Sequence, residues 1–270
     1  MNGNEAYIQK LLISNPLREP VIRSVIQELE LPSGSHGLDA GCGIGLQAML
    51  LAEAVGPEGH VTGLDLCPEF IARAKYIIEQ SGLSDWISFQ EGNVNNLPFD
   101  NDTFDWIWSA DCAGYHAEDH LFLMKELIRV VRPGGIVSIL VWSSQQLLPG
   151  YPLLEARLNA TSSGIAPFVN GSKPESHIMR ALGWFRDAGL VEPTARTFVG
   201  DAHAPLSDEI KDALTILFPM RWKDAQPEMS QEDWEKYQRL CLPESPDFIL
   251  NLPDYYAFFN YSLFHGKVAQ

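Results

Sequence analysis

The stretch Gly37-Leu38-Asp39-Ala40-Gly41-Cys42-Gly43-Ile44-Gly45 constrains the fold of this chain more than any other. A short apolar strand runs into a turn with glycine at Gly41, Gly43 and Gly45, and the next residues, 46–54, read as a helix. Glycine has no Cβ, so the chain can turn sharply there and a ligand can lie against bare backbone. Strand, glycine turn and helix together make the first half of a nucleotide-binding α/β unit.

Downstream, strand and helix keep alternating. A second strand, 61–65, ends in Asp65, where a carboxylate can accept hydrogen bonds from ribose hydroxyls. A helix over 68–80 leads to a third strand, 86–90, which runs into Glu91-Gly92-Asn93-Val94. A fourth strand spans 104–109, and an amphipathic helix over 119–132 is closed by Pro133-Gly134-Gly135. The fifth strand, 136–142, is almost wholly apolar, as a central parallel strand is. Beyond Trp142 the alternation loosens. Turns over 143–170 surround a short helix at 153–161, and Ser172-Lys173-Pro174-Glu175 resembles a capping box that opens a helix to Ala188. A strand at 194–199, helices at 208–217 and 232–242, and a last strand at 255–268 complete the chain. Before the glycine turn, 5–30 reads as two helices broken near Asn15-Pro16.

This order predicts a doubly wound, mostly parallel sheet with an antiparallel edge. Residues 1–34 form a helical cap, 35–202 with 254–270 the core, and 203–253 a helical insertion, with 143–172 as a lid loop. Ligands in such sheets bind past the carboxyl ends of the strands, where strand order reverses. The glycine turn, Asp65, Asn93 and Asp111 all fall at or just past such ends and should meet on one rim.

The chain is 270 residues long with 46% hydrophobic residues, enough for one sizeable core. A net charge of −16 repels phosphate backbones, so nucleic acid is not an expected partner. The cysteines, Cys42, Cys67, Cys112 and Cys241, are scattered, which argues for reduced thiols rather than disulfides or structural zinc. The N-terminus lacks the basic-then-apolar order of a secretory leader, and 136–142 is too short to span a bilayer. The expectation is a soluble cytoplasmic protein, monomeric or homodimeric, acting on a small molecule.

Asp111, Tyr115 and His116 follow strand four, on the side where a substrate would sit. His116 could act as a general base, or it could shape a pocket without moving protons. His116 and His120, with Glu118 between them, have the spacing of a zinc helix. The glutamate of that motif directly follows the first histidine, however, and here Ala117 stands there, so no metal is expected. Trp106, Trp108, Trp184, Phe218, Trp222 and Trp234 read mainly as core.

These motifs together resemble the class I S-adenosylmethionine-dependent methyltransferases. The matching segments are Leu38 to Gly45, Gly63-Leu64-Asp65, Gly92-Asn93-Val94 with Leu97-Pro98-Phe99, Phe104-Asp105, and Arg132-Pro133-Gly134-Gly135. They cover roughly residues 35–143 and are similar to the small-molecule branch that includes ubiquinone and menaquinone C-methyltransferases. The resemblance implies a Rossmann-like seven-stranded sheet with an antiparallel last strand, and S-adenosylmethionine as methyl donor. It further implies that Asp39 organises the glycine loop and holds the methionine amino end. Gly41, Cys42, Gly43 and Gly45 would let backbone lie against the donor, Asp65 would take the ribose hydroxyls, and Leu66 would pack on the adenine. Gly92, Asn93, Val94 and Asp111 would complete the donor site. Asn93 stands where the family commonly has aspartate; its side-chain oxygen can accept from the adenine amino group as aspartate does. Asp111, Tyr115 and His116 would face the acceptor.

Two other readings follow from the same residues. One is a non-catalytic relative that keeps the fold as a binding module. The other is a nicotinamide oxidoreductase, whose turn would carry its third glycine where this chain has Leu46.

Overall fold

The computed structural model describes residues 3–113, 119–168 and 173–270. In chain order the elements are α1 (Gly3–Glu28), β1 (His36–Ala40), α2 (Leu46–Val55), β2 (His60–Asp65), α3 (Pro68–Ser81), β3 (Ile87–Glu91), β4 (Phe104–Ala110), α4 (His120–Arg129), β5 (Val131–Gln146), α5 (Pro152–Asn159), α6 (Ser162–Ile165), α7 (Ala181–Asp187), β6 (Val191–His203), α8 (Asp208–Trp222), α9 (Gln231–Cys241) and β7 (Tyr256–Lys267).

The strands form one seven-stranded sheet in the order β3-β2-β1-β4-β5-β7-β6. β1 to β5 pair in parallel, and β7 lies between β5 and β6, antiparallel to both. Strand order reverses between β1 and β4, so their carboxyl ends flank the crevice where such sheets bind ligands. The doubly wound fold with its antiparallel last strand is as expected.

Packing explains the central strands. Leu38 and Ala40 of β1, and Trp106, Ile107 and Trp108 of β4, are buried on both faces of the sheet. On one face α1, α2, α8 and α9 cover a core that includes Val25, Leu51, Trp106, Trp222 and Leu263. On the other, α4 and α7 cover one that includes Leu38, Ile107, Leu127, Trp184 and Phe264. The indole N–H of Trp106 donates to Ser35 Oγ (2.8 Å), and that of Trp108 to Gln47 Oε1 (2.7 Å). Both tryptophans are therefore core, as are Trp184, Phe218 and Trp222, while Trp234 is partly buried against it.

The structure departs from the sequence reading at prolines. Residues expected as two helices broken at Pro16 form one helix, α1, with Pro16 and Pro20 inside it. A proline within a helix costs about 3 kcal/mol. Burying Leu17, Val21, Ile22, Val25 and Ile26 returns about 1.5–3 kcal/mol each, so packing wins. For the same reason α8 runs past its expected end, through Pro219, to reach the buried Phe218 and Trp222.

Other differences lie at element ends. The helix expected from 174 to 188 is two single 3₁₀ turns, Pro174–Ser176 and Ile178–Arg180, followed by α7. His177 interrupts it by accepting the Met179 N–H on Nδ1 (3.2 Å). Ser172 of the expected capping box lies outside the described residues. α4 ends at Arg129, and Pro133-Gly134-Gly135 already belongs to β5, where Gly134 N–H donates to Val268 O (2.9 Å). β6 is longer than expected because its residues are mostly exposed, which removes the apolar signal while leaving the ladder with β7 intact. Among the described residues no helix is long and apolar enough to cross a membrane.

Candidate functional site

The site begins where β1 ends. The Gly41 and Cys42 N–H groups both donate to Leu64 O (2.7 and 2.9 Å), which pins the turn against the end of β2. Gly41 and Gly43 both have left-handed φ, +84° and +53°, but for different reasons. A Cβ at Gly41 would stand 2.2 Å from Cys112 Sγ, so the protein's own packing excludes one. A Cβ at Gly43 would meet nothing closer than Leu11 Cδ1, at 4.0 Å. Gly43 therefore faces open space, and its bare backbone is available to a ligand.

Asp65 joins three strand ends. Its Oδ2 accepts from Gly43 N–H and its Oδ1 from Cys67 N–H, both at 2.9 Å, and its carbonyl accepts from Gly92 N–H at 3.0 Å. A carboxylate offers about four acceptor positions, so room remains for hydroxyl donors. Next to it Leu66 is 65% exposed, an apolar side chain beside the polar rim. Asn93 also reaches the rim, but its Oδ1 accepts from Asn95 N–H (2.9 Å) within its own turn. The oxygen expected to meet an adenine amino group thus already holds the loop, and only its second lone pair is left. Val94 packs against the core beneath.

Asp39 carries the sharpest electrostatic demand. It is only 2% exposed, and its Oδ2 has no hydrogen-bond partner among the described residues. Burial, with the Asp65 charge adding to it, pushes its pKa up to about 8. A buried carboxylate oxygen without a donor costs free energy that a cationic N–H group would recover. The residues present thus fit a ligand with an ammonium group beside a ribose.

The structure adds a layer that was not legible from the motifs. α1 lies across the strand ends: Asn4 Nδ2 donates to Cys67 Sγ (3.6 Å), Tyr7 stacks on Phe70 (5.9 Å between ring centroids), and Leu11 faces Gly43. Further along, Arg18 Nη2 pairs with Asp111 Oδ2 (2.9 Å) and Arg18 Nε donates to Tyr261 Oη (2.7 Å). Tyr261 in turn donates to Asp111 Oδ2 (3.3 Å), and Asp111 Oδ1 accepts from Trp142 N–H (2.8 Å). Burial works against the Arg18 charge, but Tyr261 and Asp111 outweigh it and hold the guanidinium above its ordinary pKa. Asp111 is a non-glycine residue at φ 48°, a conformation these contacts maintain. Its carboxylate thus anchors α1 to the ends of β4 and β5 and to β7. Tyr115 and His116 lie outside the described residues. His120 opens α4 and stacks on Trp184 at 4.7 Å.

Sequence reasoning missed Tyr7, Leu11, Arg18 and Tyr261. A signal existed for three of them: Tyr7, Leu11 and Arg18 recur at helical spacing on one face ahead of the glycine turn. Reading a break at Pro16 hid it. A separate cavity of about 430 Å³ lies between α1 and α2, lined by Asn15, Glu19, Met49, Leu50, Leu83 and Trp86 among others. Asp39, Gly43, Asp65 and Asn93 are not among its lining residues.

Comparison with known proteins bears on the fold and on the segment that carries the glycine turn. Residues 38–135 match the family described as a methyltransferase domain. Over 129 residues the chain is 33% identical to the demethylmenaquinone methyltransferase of Bacillus cytotoxicus, covering 48% of this chain and 53% of that protein. The chain spans about half the length of the curated relatives it matches first. A crystal structure of a SAM-dependent methyltransferase from Aquifex aeolicus superposes with TM-score 0.51 at 22% identity, covering 67% of this chain and 87% of that one. A phosphoethanolamine N-methyltransferase from Haemonchus contortus, in complex with S-adenosyl-L-methionine, superposes with TM-score 0.54 at 18% identity, covering 92% and 52%. Those two likenesses establish the shared fold.

Proposed function

We propose that this chain, a class I S-adenosylmethionine-dependent methyltransferase similar to the demethylmenaquinone methyltransferases, transfers a methyl group from that donor to a small-molecule acceptor. The orphaned, buried Oδ2 of Asp39 beside the open backbone of Gly43 carries this reading. When bound, the sulfonium supplies a methyl group already activated for displacement. The chain's own residues have to bind, align and exclude water. Asp39 would hold the amino end, Asp65 the ribose hydroxyls, and Gly41, Cys42, Gly43 and Gly45 the backbone floor. Leu66, Gly92, Asn93 and Val94 would flank the adenine.

Asp111 fixes Arg18 and Tyr261 at the rim, and Tyr115 and His116 would face the acceptor in our reading. The cap (1–34) and the insertion (203–253) would close over the strand ends of the core, with 143–172 completing the enclosure. A cytoplasmic monomer or homodimer that does not bind nucleic acid is consistent with the free cysteines and with the acidic charge.

Calorimetric titration with S-adenosylhomocysteine should show saturable binding to the wild type. Gly43→Asp places a second carboxylate in the ligand's space and should weaken binding more than ~100-fold, as unpaired buried charges do. Wild-type protein that binds neither this ligand nor S-adenosylmethionine would end the proposal.

A further inference from the structure

The amino end of the donor is accounted for by Asp39, but the same end carries a carboxylate, and a second anion needs a cation. We infer that Arg18, on the helix that covers the strand ends, is the carboxylate anchor of the methyl-donor site, so that the donor itself ties α1 to the core. This rests on the methyl-donor reading above.

Several observations converge on it. Tyr7, Leu11 and Arg18 share one face of α1, because residues four and seven apart stack along a helix. Leu11 on that face is the nearest side chain to the open backbone of Gly43. Asp111, the ion partner of Arg18, precedes Cys112, whose sulfur packs against Gly41 of the same loop. Tyr7, on the same face, stacks on Phe70 in the first turn of α3, just past Asp65. Within the guanidinium, Nε serves Tyr261 and Nη2 serves Asp111, while Nη1 takes no partner among the described residues. Its two N–H groups are the donors that an incoming carboxylate requires.

The arrangement has a consequence. Asp111 and Tyr261 belong to the end of β4 and to β7, and they fix the orientation of Arg18 before any ligand arrives. A carboxylate on Nη1 would then bridge the cap and the glycine loop, and donor binding would hold α1 down. A ligand with the same adenosine and amino group but no carboxylate would fill the loop without engaging the cap.

The test compares S-adenosylhomocysteine with its decarboxylated analogue, S-adenosyl-3-thiopropylamine, by calorimetric titration of the full chain. Wild-type protein should prefer the carboxylate-bearing ligand by roughly 10- to 100-fold, the range of one charge-assisted hydrogen-bonded pair. Arg18→Met should bring that ratio close to one by weakening only S-adenosylhomocysteine. The double variant Arg18→Met with Asp111→Asn removes both partners, so no buried carboxylate is left stranded if the single variant folds poorly; it should show the same loss of preference. In wild-type protein, amide exchange over residues 7–18 should slow with S-adenosylhomocysteine and not with saturating analogue. Equal affinity of the wild type for the two ligands would overturn the assignment while leaving the methyl-donor reading in place. So would a variant that weakens both ligands alike, or equal protection of α1 by both. Failure of both ligands to bind the wild type would remove the reading and this inference together.

Discussion

The parallel half of the sheet and the cap across its rim are built by different means. From β1 to β4 the positions that matter are fixed by short-range geometry. Two backbone N–H groups of the glycine turn share one carbonyl, and Asp65 staples its own turn to its neighbour. The cap has no such local logic. α1 persists through two prolines because its apolar face is buried, and it is oriented by Arg18 reaching Asp111 and Tyr261, which are far from it in sequence. Under the proposed function this is a division of labour, in which the parallel half would recognise the ligand and the cap would enclose it.

That division can be broken from either side. The largest effect should come from the insertion: Trp222→Ala empties a site that is 0% exposed and deletes an indole bond to Asn159 Oδ1 (3.0 Å). Chemical denaturation should register a loss of about 3–5 kcal/mol. A loss under ~1 kcal/mol would mean that the insertion is not part of the cooperative core.

Next, Gly41→Ala should cost about 2–4 kcal/mol, because its Cβ collides with Cys112 at a left-handed φ. Gly43→Ala, with open space around it, should cost about 1 kcal/mol, from its φ alone. If thermal unfolding showed equal losses at the two positions, the distinction between a packing glycine and a ligand-facing glycine would fail.

A further effect should follow pH. Burial raises the Asp39 carboxyl to about 8, against about 4 for an unperturbed aspartate. The folded state therefore keeps this proton while the unfolded state releases it. The ligand-free protein should lose this part of its stability as pH rises from about 4 to about 8. A ligand ammonium prefers the ionised form, so affinity for S-adenosylhomocysteine should rise toward pH 8, by at most about tenfold per unit, with release of a proton. Calorimetry in buffers of different ionisation enthalpy counts that proton, and Asp39→Asn should abolish the release.

The smallest effect should be Ser207→Ala. It removes the hydroxyl that accepts from Ile210 N–H at the start of α8 and should cost about 1 kcal/mol without changing ligand affinity.

Legibility followed the same divide. Gly41, Gly43 and Asp65 could be read from sequence because their contacts are made within and between neighbouring turns, and such turns demand particular residue types. Tyr261 could not, and Arg18 only as a position on the helix face it shares with Tyr7 and Leu11, because nothing local marks an arginine that pairs across the fold. Pro16 was misleading, since its local cost is real but smaller than the burial that opposes it. Asn93 was half legible: its position at the rim was readable, whereas the use of its oxygen inside its own turn depends on the conformation of that loop. β6 was underestimated because an exposed edge strand needs little apolar sequence once β7 supplies its ladder.

The most direct test of the account is a crystal structure of the complex with S-adenosylhomocysteine. The account predicts the ligand at the carboxyl ends of β1, β2 and β4, with its amino group within hydrogen-bond distance of Asp39 Oδ2, its ribose hydroxyls on Asp65 and its backbone contact at Gly43. A ligand seated instead in the cavity between α1 and α2, with Asp39 Oδ2 still unpaired, would contradict it.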